Sequence, residues 1–269
     1  VLDFGSQYTQ LIARRIRELD VFSIILPWDI SKERIAALNP TGIILSGGPE
    51  SVTKNNTPRI PKIIFDLDVP ILGICYGMQT LAEQYGGQVT ASKTKEFGHA
   101  SITLEKASTL FHDFDAGSII DVWMSHGDHV STLPDQFNLI ASTPSAPIAA
   151  MAHSEKPIYA LQFHPEVTHT KEGNAVLENF VFKICSCQSQ WKMEDLIEQR
   201  ILDIKARVGD NKVLLGLSGG VDSSVTAMLL DRAIGKNLIC MFVDNGLLRK
   251  NEAEEVEDLF REKMDLNLL

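Results

Sequence analysis

A cysteine between two glycines is the strongest candidate nucleophile in this sequence. Cys75 stands in the run Gly73-Ile74-Cys75-Tyr76-Gly77, where a strand predicted over residues 69–74 meets a helix that begins near Tyr76. This G-x-C-x-G pattern is the cysteine form of the nucleophile elbow, a turn too tight for bulky side chains on both sides. The turn would lift the sulfur out of the sheet at the positive end of the helix, which favours thiolate over thiol. A buried structural cysteine is the alternative, and only a partner residue can decide between the two.

The partner is a histidine that has a carboxylate two residues further on. His164 and Glu166 follow the apolar stretch 158–161, which is predicted to be a strand. Residues i and i+2 of an extended chain point the same way, and Pro165 stiffens the link between them. Glu166 can therefore fix the tautomer of the imidazole and support its charged form, as the acid of a catalytic triad does. An H-x-E run is common by chance, but in combination with the elbow it indicates nucleophilic catalysis.

A glycine pair follows a third predicted strand, which covers residues 42–45. The run is Leu45-Ser46-Gly47-Gly48-Pro49-Glu50. Glycines let the backbone approach a ligand closely, and free N–H groups there can hold a developing oxyanion. An ordinary turn between a strand and a helix is the alternative, and this run alone does not separate the two.

Four motifs together resemble the triad-type, or class I, glutamine amidotransferases. They are Gly5-Ser6-Gln7, Ser46-Gly47-Gly48-Pro49, Gly73-Ile74-Cys75-Tyr76-Gly77-Met78-Gln79 and His164-Pro165-Glu166. They occur in the family's order, and the resemblance extends from the start of the chain to about residue 185. In that family a cysteine attacks the side-chain amide of glutamine, ammonia leaves, and water then releases glutamate from the thioester.

The resemblance implies a role for each matching residue. Cys75 would be the nucleophile, His164 the general base and acid, and Glu166 the residue that orients His164. The backbone N–H groups of Gly48 and Tyr76 would form the oxyanion hole. The substrate glutamine would be held by Gln79 and by a loop over residues 124–128, with the binding residues Ser125, His126, Gly127 and Asp128.

A second chemical motif lies near residue 220. A predicted strand over residues 212–217 leads into the run Ser218-Gly219-Gly220-Val221-Asp222-Ser223-Ser224 and then into a helix. Exposed N–H groups, serine hydroxyls and the positive start of a helix make an anion cradle, although structural glycines are the alternative. The run lacks the endings of the Walker loop and of dinucleotide binders, so kinase-like transfer of a terminal phosphate is disfavoured. Asp222 would supply an oxygen ligand for Mg²⁺ beside the phosphates.

This loop resembles the pyrophosphate loop of the ATP pyrophosphatases, which adenylate an oxygen of their substrate and release pyrophosphate. The resemblance implies that ATP is a co-substrate and that Mg²⁺ is a cofactor. The pyrophosphate part of ATP would be gripped by Ser218, Gly219, Gly220, Val221, Asp222, Ser223 and Ser224. The backbone of Val243, at the end of the next predicted strand, would meet the adenine, within a segment over residues 242–249 that matches the family.

The elements around these motifs alternate between strands and helices, which predicts an α/β protein with a mostly parallel sheet covered by helices. Strands are predicted over residues 1–4, 23–26, 42–45, 69–74, 158–161, 212–217 and 237–243, and helices over 9–19, 61–67, 174–185, 193–208, 223–234 and 251–263. Between residues 100 and 163 the pattern predicts short strands separated by turns, which would add antiparallel pairs.

Two domains are predicted, because a new alternation of strands and helices begins after a polar stretch over residues 186–190. Residues 1–187 would form the class I amidotransferase domain, and residues 188–269 the first part of a truncated α/β domain of the adenine-nucleotide hydrolase type. The chain opens at Val1 inside a predicted strand and stops at Leu269 where another strand is expected, so further residues are expected at both ends.

Composition limits the partners that this chain can have. The 269 residues carry a formal net charge of −10, which is unfavourable for binding the phosphate backbone of a nucleic acid. No apolar run reaches the roughly 18 residues of a membrane helix, so no membrane partner is expected. Four cysteines without a CxxC pair do not make a disulfide framework, and a reducing cytoplasm is the expected location.

Three other functions remain open. The first is a glutaminase component of another ATP-dependent amidotransferase, although such subunits end near the helix predicted over residues 174–185. The second is tRNA thiolation, whose enzymes share a phosphate loop but require a basic surface and give no role to Cys75 and His164. The third is a binding module with a decayed site, which the intact set of Cys75, His164 and Glu166 disfavours.

Overall fold

The chain divides into two compact units, Val1–Trp191 and Lys192–Leu269. The computed structural model describes residues 1–244 and 246–269, without the side chains of residues 92–95. Asn245, which belongs to the segment matched to the ATP pyrophosphatases, lies outside the described residues. Over the residues that are described, no helix combines the length and the apolar composition needed to cross a membrane.

The described residues of the first unit form a nine-stranded sheet. The strands are β1 Leu2–Asp3, β2 Leu26–Pro27, β3 Ile43–Leu45, β4 Ile71–Ile74, β5 Gln88–Leu104, β6 Ile119–Thr132, β7 Phe137–Ser142, β8 Ala150–His153 and β9 Ile158–Leu161. Their order across the sheet is β2-β1-β3-β4-β9-β8-β7-β5-β6. The strands from β2 to β9 in this order pair in parallel, and the later ones pair antiparallel. The predicted α/β sheet with antiparallel additions is confirmed.

Helices follow the parallel strands. Their bounds are α1 Thr9–Glu18, α2 Lys32–Leu38, α3 Lys62–Asp66, α4 Tyr76–Gln84 and α5 Gly173–Glu178, and α5 continues as a π-helical turn over Asn179–Ile184. Helix α1 is amphipathic, because Ile12, Ala13 and Ile16 recur at helical spacing and are buried. Ser31 caps the start of helix α2, because its hydroxyl accepts a hydrogen bond from the Arg34 N–H at 3.3 Å.

The central parallel strands are buried on both faces of the sheet. In β3, Ile43 and Leu45 pack into one hydrophobic cluster, and Ile44 packs into the other. Helix α1 lies on the side of Ile44, and helix α4 contributes Met78 to the opposite cluster. A strand covered on both faces must be apolar throughout, which is why these strands appear in the sequence as continuous apolar runs.

The second unit contains a smaller parallel arrangement. It consists of α6 Met193–Val208, β10 Val213–Leu217, α7 Val221–Ile234, β11 Leu238–Phe242 and α8 Glu252–Glu257, which continues as a π-helical turn over Asp258–Lys263. Strands β10 and β11 pair in parallel, with Leu217 opposite Phe242. Leu217, Cys240 and Phe260 are buried in its core.

Two predictions about strands are wrong. The region predicted as short strands contains the long pair β5 and β6, of 17 and 14 residues, and β5 begins at Gln88. The stretch predicted as a loop over residues 124–128 lies inside β6. Its polar residues resemble a turn in the sequence, yet Val122, Met124 and His126 are buried alternately, as in a half-buried strand.

The strand predicted over residues 23–26 is also wrong in most of its length, because β2 covers only Leu26–Pro27. The polar groups of Ser23 are used elsewhere. Its hydroxyl donates to the carbonyl of Ala13 at 2.9 Å, and its carbonyl accepts from the Arg17 guanidinium at 2.8 Å. These contacts with α1 take the place of ladder hydrogen bonds at the edge of the sheet.

Candidate active site

Cys75 lies between β4 and α4 in a strained backbone conformation. Its φ is 53° and its ψ is −105°, a region that residues with side chains rarely adopt. The turn also brings backbones too close for side chains on either side. A Cβ on Gly73 would stand 2.9 Å from the carbonyl carbon of Gly77, and a Cβ on Gly77 would collide with the carbonyl oxygen of Leu45. The spacing of the motif is therefore required by the turn that presents the sulfur.

Hydrogen bonds to neighbouring strands fix this turn. The Cys75 N–H donates to the carbonyl of Leu161, at the end of β9, at 2.7 Å. The Gly77 N–H donates to the carbonyl of Ser46, after β3, at 3.1 Å. The segments that follow β3, β4 and β9 are thus held together at one edge of the sheet, where the carboxyl ends of parallel strands meet.

His164 and Glu166 form a buried pair beside this turn. Their side chains are 3% and 0% exposed, and His164 Nδ1 lies 2.7 Å from Glu166 Oε1. Because a carboxylate only accepts, Nδ1 carries the proton of this hydrogen bond. The ring also makes a side-chain hydrogen bond with Cys75, which leaves Nε2 as the nitrogen that faces the sulfur. The order sulfur, imidazole, carboxylate is that of a catalytic triad.

The backbone of His164 is fixed as firmly as its ring. Its N–H donates to the carbonyl of Trp123 at 3.1 Å, and its carbonyl accepts from the Thr170 hydroxyl at 2.6 Å. The Tyr8 ring packs edge-on against the imidazole, with 5.2 Å between the ring centroids. Contacts from three sides leave the imidazole little freedom to rotate away from Cys75.

The charge state of His164 follows from its neighbours. Burial acts to lower the pKa of the imidazole, because the charged form loses its hydration. The hydrogen bonds with Cys75 and Glu166, and the negative charges of the two partners, act in the opposite direction and raise the pKa to about 10. The ring is therefore protonated at neutral pH and places a positive charge beside the Cys75 sulfur.

The other cysteines lie in different environments. Burial raises the pKa of the thiols of Cys185, Cys187 and Cys240, so all three stay protonated at neutral pH. A protonated, buried thiol is a poor nucleophile. Only Cys75, among the four free cysteines, has the imidazole of a buried histidine beside it.

The turn after β3 lies against the start of α4. The hydroxyl of Ser46 accepts from the Phe4 N–H at 3.0 Å and donates to the carbonyl of Gly47 at 2.8 Å. Gly48 packs closely on the ring of Tyr76. Across the described residues, the N–H groups of Gly48 and Tyr76 donate to no backbone carbonyl in a loop or cap, so both are available to an oxyanion.

A cavity of about 740 Å³ opens onto these residues. Its volume suits a small molecule such as an amino acid. The lining contains the predicted site residues Gly48, Cys75, Gln79, Ser125, His126, Gly127, Asp128 and His164, together with Gly5, Ser6, Gln7 and Tyr8. The structure therefore brings the predicted glutamine-binding residues to the same cavity as Cys75. Glu166 and Tyr76 lie behind its wall.

The β6 segment over residues 125–128 forms one wall of the cavity. The carbonyl of Ser125 lies 3.5 Å from Cys75 Sγ. Gln79 donates its side-chain amide to the carbonyl of Asp128 at 2.7 Å, so its nitrogen ties α4 to β6. The alternating side chains of this strand place the His126 ring inside the wall, where it is buried.

Sequence reasoning missed one residue beside the sulfur. The buried side chain of Gln162 directs Nε2 at Cys75 Sγ over 3.8 Å, and its oxygen lies 3.4 Å from the amide of Gln79. Gln162 precedes His164 by two residues, so the alternation that selected Glu166 also predicts Gln162 on the same side. An amide residue directly after the apolar strand, two positions before the histidine, was the signal in the sequence.

The run predicted to be a phosphate loop lies in the second unit and is held by its own hydrogen bonds. The Ser218 N–H donates to Ser223 Oγ at 3.2 Å, and the hydroxyls of Ser223 and Ser224 donate to the carbonyl of Gly220 at 3.0 and 2.8 Å. The loop is exposed and begins directly after β10. Because Leu217 pairs with Phe242, Ser218 and Val243 follow their strands at the same edge. Val243 is 65% exposed there.

Asp222 is an exposed carboxylate in the first turn of α7. In the part of the chain that the structure describes, no group of three or more His, Cys, Asp or Glu side chains could hold a metal by itself. This donor set fits Mg²⁺ only in the form in which that ion is commonly bound, by one carboxylate together with phosphate oxygens and water.

Comparison with known proteins agrees with both units. Residues 1–184 match the family model "Glutamine amidotransferase class-I", and residues 192–265 match the model "NAD synthase". Proteins from Pasteurella multocida and Actinobacillus succinogenes, both named "GMP synthase [glutamine-hydrolyzing]", are 57% and 56% identical over the whole chain. The chain spans 52% of the length of each of these relatives.

Solved structures resemble the first unit. A protein from Thermoplasma acidophilum, described as one component of a GMP synthase, is 37% identical and has a TM-score of 0.62. The match covers 69% of the present chain and 92% of the Thermoplasma protein. A glutamine amidotransferase from Thermotoga maritima has a TM-score of 0.54 at 18% identity, over 69% of this chain and 94% of its own, and shows the shared fold alone.

Proposed function

The chain belongs to the class I glutamine amidotransferases, and from this premise we propose that it hydrolyses glutamine to glutamate and ammonia at Cys75. One observation carries the proposal. A cysteine in a strained elbow meets the buried pair of His164 and Glu166 at the wall of a cavity of about 740 Å³. No structural role requires a strained cysteine, a charged imidazole and a buried carboxylate in this order.

In the proposed reaction each member of the triad has a separate role. The thiolate of Cys75 attacks the carbonyl carbon of the glutamine side-chain amide. His164 gives its Nε2 proton to the departing nitrogen, ammonia leaves, and a thioester to Cys75 remains. The neutral ring then takes a proton from a water molecule, which cleaves the thioester and releases glutamate. Glu166 holds the ring through Nδ1 and stabilises its charged form throughout.

The cavity wall supplies the rest of the site. The N–H groups of Gly48, in the wall, and of Tyr76, directly behind it, would stabilise the oxyanion, since among the described residues neither donates to a backbone carbonyl in a loop or cap and the two residues are packed together. Gln79 and the β6 segment would hold the substrate glutamine, through Ser125, His126, Gly127 and Asp128.

We propose further that the longer protein acts as a GMP synthase. Residues 1–187 would be its glutaminase domain, and residues 188–269 the first part of its ATP pyrophosphatase domain. ATP would adenylate the 2-oxygen of XMP with loss of pyrophosphate, and ammonia from glutamine would then displace AMP to give GMP. The identity of 56–57% with proteins of that name, over the whole chain, supports this assignment.

The second unit would bind the ATP. The loop from Ser218 to Ser224 would hold the pyrophosphate portion, because it leads directly into α7, and the N–H groups at a helix start favour an anion. The backbone of Val243, exposed at the same edge, would meet the adenine. Asp222 would hold Mg²⁺ together with the phosphates, and the bound ion would neutralise charge on them.

The same proposal includes a homodimer of the full-length protein and a cytoplasmic location. Four free cysteines fit a reducing compartment. Its small-molecule partners are glutamine, ATP and XMP, and it needs no nucleic acid or membrane.

A glutaminase component of another ATP-dependent amidotransferase is the second candidate. It explains Cys75, His164 and Glu166 equally well, since it shares the first half of the reaction. It does not explain why an exposed phosphate loop, followed by a parallel partner strand, stands on the same chain. GMP synthesis accounts for both units.

Product analysis of the full-length protein separates the two candidates. The protein is supplied with amide-¹⁵N glutamine, ATP, Mg²⁺ and XMP, and the products are identified by mass spectrometry. We expect labelled GMP, together with AMP, pyrophosphate and glutamate. Glutamate without GMP would contradict GMP synthesis and favour the second candidate, and a folded protein that forms no glutamate would contradict the glutaminase assignment itself.

A further inference from the structure

A buried histidine in the wall of the catalytic cavity is paired with a carboxylate that no motif includes. His126 on β6 stands directly opposite Glu96 on β5. The His126 side chain is 3% exposed and the Glu96 side chain 23% exposed, with 3.1 Å between Nε2 and Glu96 Oε2. The ring N–H is not well aligned with that oxygen, and burial lowers the pKa of the ring, so the carboxylate closely faces a buried imidazole that is neutral at neutral pH.

Glu96 is itself held from a second side. Its Oε1 accepts a hydrogen bond from the hydroxyl of Ser145, in the turn between β7 and β8. That turn is closed by the Thr143 side chain, which accepts from the Ala146 N–H at 2.7 Å. Glu96 therefore connects a rigid turn on one side with the buried His126 ring on the other.

The charges around His126 come from both strands of the hairpin. Burial lowers the pKa of its ring, the carboxylate of Glu96 opposes that effect, and His129 adds to it. Asp128, two residues along β6, has a buried carboxylate oxygen without a hydrogen-bond partner in the described part of the chain. Glu96 is thus the group that balances the cost of placing His126 inside the wall.

The position of His126 controls the backbone that faces the substrate. On one side of it the Ser125 carbonyl lies 3.5 Å from Cys75 Sγ, and on the other the Asp128 carbonyl accepts from Gln79. Successive side chains of a strand point to opposite faces. A His126 ring fixed inside the wall therefore determines how the backbone of residues 125–128 is oriented along the cavity.

We propose that Glu96 is a positioning residue for glutamine binding. It fixes the His126 ring in the cavity wall and so aligns the β6 segment with the substrate. Glu96 touches no reacting atom and acts through His126. This inference rests on the proposed glutaminase activity, and it adds to that activity a residue from β5 that determines the affinity for glutamine.

The test is steady-state glutamine hydrolysis by the full-length protein that carries Glu96→Gln. The substitution keeps the shape and removes the charge opposite His126. We expect KM for glutamine to rise on the order of tenfold, as for loss of one charge-assisted contact, with kcat within about twofold of the parent. A purely structural role for Glu96 predicts a lower melting temperature and an unchanged KM.

Glu105→Gln is the matched control. Glu105 directly follows β5, and its carboxylate also accepts from a serine of a neighbouring element, Ser142 at the end of β7, at 2.5 Å. It is exposed and does not line the cavity. We expect KM and kcat of this variant to equal those of the parent.

Two further variants decide the mechanism. If Glu96 acts through His126, Glu96→Gln raises KM no further when His126→Asn is already present, whereas additive effects contradict the proposal. Should Glu96→Gln fail to fold, Ser145→Ala removes the hydrogen bond that supports Glu96, together with a contact to the Thr143 hydroxyl inside the turn, and it should raise KM in the same direction but less. If the parent hydrolyses glutamine and these variants have an unchanged KM, only the role of Glu96 is overturned. If the parent is folded but does not hydrolyse glutamine, the proposed function is overturned.

Discussion

The imidazole of His164 carries its charge against the effect of its own burial. A buried cation is unfavourable unless negative partners surround it. Here the partners are Cys75 on one ring nitrogen and Glu166 on the other, and together they raise the pKa to about 10. The charge therefore depends on the presence of the sulfur, and this dependence can be measured.

We expect Cys75→Ala to lower the pKa of His164 while Glu166 still holds Nδ1. The hydrogen bond with Cys75 is the largest of the effects that raise this pKa, so its removal leaves burial less opposed. The imidazole signals, followed by NMR during a pH titration, report the change directly. In the parent, the stability contributed by this proton is complete below about pH 6.5, the unperturbed value, and is lost as the pH rises through about 10. An identical titration in both proteins would contradict the pairing.

We predict that His164→Ala reduces glutamine hydrolysis more than Glu166→Gln does. His164 moves protons, and loss of general acid–base help costs roughly 10²–10⁴-fold. Glu166 only orients the ring and supports its charge, and the amide of Gln can still bond to Nδ1. Single-turnover formation of the thioester measures both variants, and a larger loss for Glu166→Gln would overturn the assignment of roles.

At the scale of single residues, the sequence predicted the members of the site that belong to short motifs. Cys75 and His164 were found because glycines and an apolar strand mark their positions. Glu96 was not found, because its partner His126 is distant in sequence and only the pairing of β5 with β6 brings them together. Contacts across strands depend on register, which no local pattern specifies.

At the scale of elements, the sequence predicted the turn at Cys75 correctly, but it did not predict that the cavity wall is part of strand β6. The elbow was predictable because its geometry demands glycine at two positions, Gly73 and Gly77. The wall was predicted as a loop from the resemblance to the family, and Ser125, Gly127 and Asp128 are residues that favour turns. Pairing with β5 overrides that local preference, since Ser125, His126 and Asp128 lie opposite residues of β5.

Asp222 at the start of α7 allows a test of the phosphate loop. We predict that Asp222→Asn in the full-length protein strongly weakens Mg²⁺-dependent use of ATP and leaves glutamine hydrolysis at Cys75 intact. Asn keeps the shape but loses the charge that would hold Mg²⁺ against the phosphates. Exchange of labelled pyrophosphate into ATP, measured with XMP across a Mg²⁺ titration, follows the adenylation step.

The structural alternative for Asp222 is a contribution to the start of the helix. Gly220 is the N-cap residue that precedes α7, and no side chain caps the helix. Asn serves about as well as Asp near a helix start, so this alternative predicts a nearly silent substitution. Asp231→Asn, further along the same helix, is the control and should not change the exchange. Unchanged exchange in Asp222→Asn at every Mg²⁺ concentration would show that its role is structural.

At the scale of the whole molecule, two chemistries are assigned to two compact units. The cavity with Cys75 lies within Val1–Trp191, and the phosphate loop lies within Lys192–Leu269. The sequence predicted this division because the alternation of strands and helices starts afresh after a polar stretch. Glutamine hydrolysis and ATP binding are therefore expected to be separable, since neither proposed site contains a described side chain of the other.

We predict that Cys75→Ala in the full-length protein abolishes GMP formation from glutamine but preserves it from free ammonia. Ammonia is the proposed product of the first unit and the proposed reactant at the second, so added ammonium salt should replace the missing step. The substitution removes only the sulfur, and Ala can occupy the turn with the same number of backbone hydrogen bonds. GMP is measured with each nitrogen source at a pH where part of the ammonium is deprotonated.

Cys187→Ala is the matched control for this experiment. Its thiol is half-buried, and burial raises its pKa, so it should not act as a nucleophile. We expect this variant to use both nitrogen sources as the parent does. Cys75→Ala should lose glutamine-dependent synthesis to the level of the uncatalysed reaction, because no other thiol in the described structure stands beside a charged histidine. Equal loss of the glutamine-dependent and ammonia-dependent reactions would show that the two chemistries are not separate, and the division of labour between the units would be wrong.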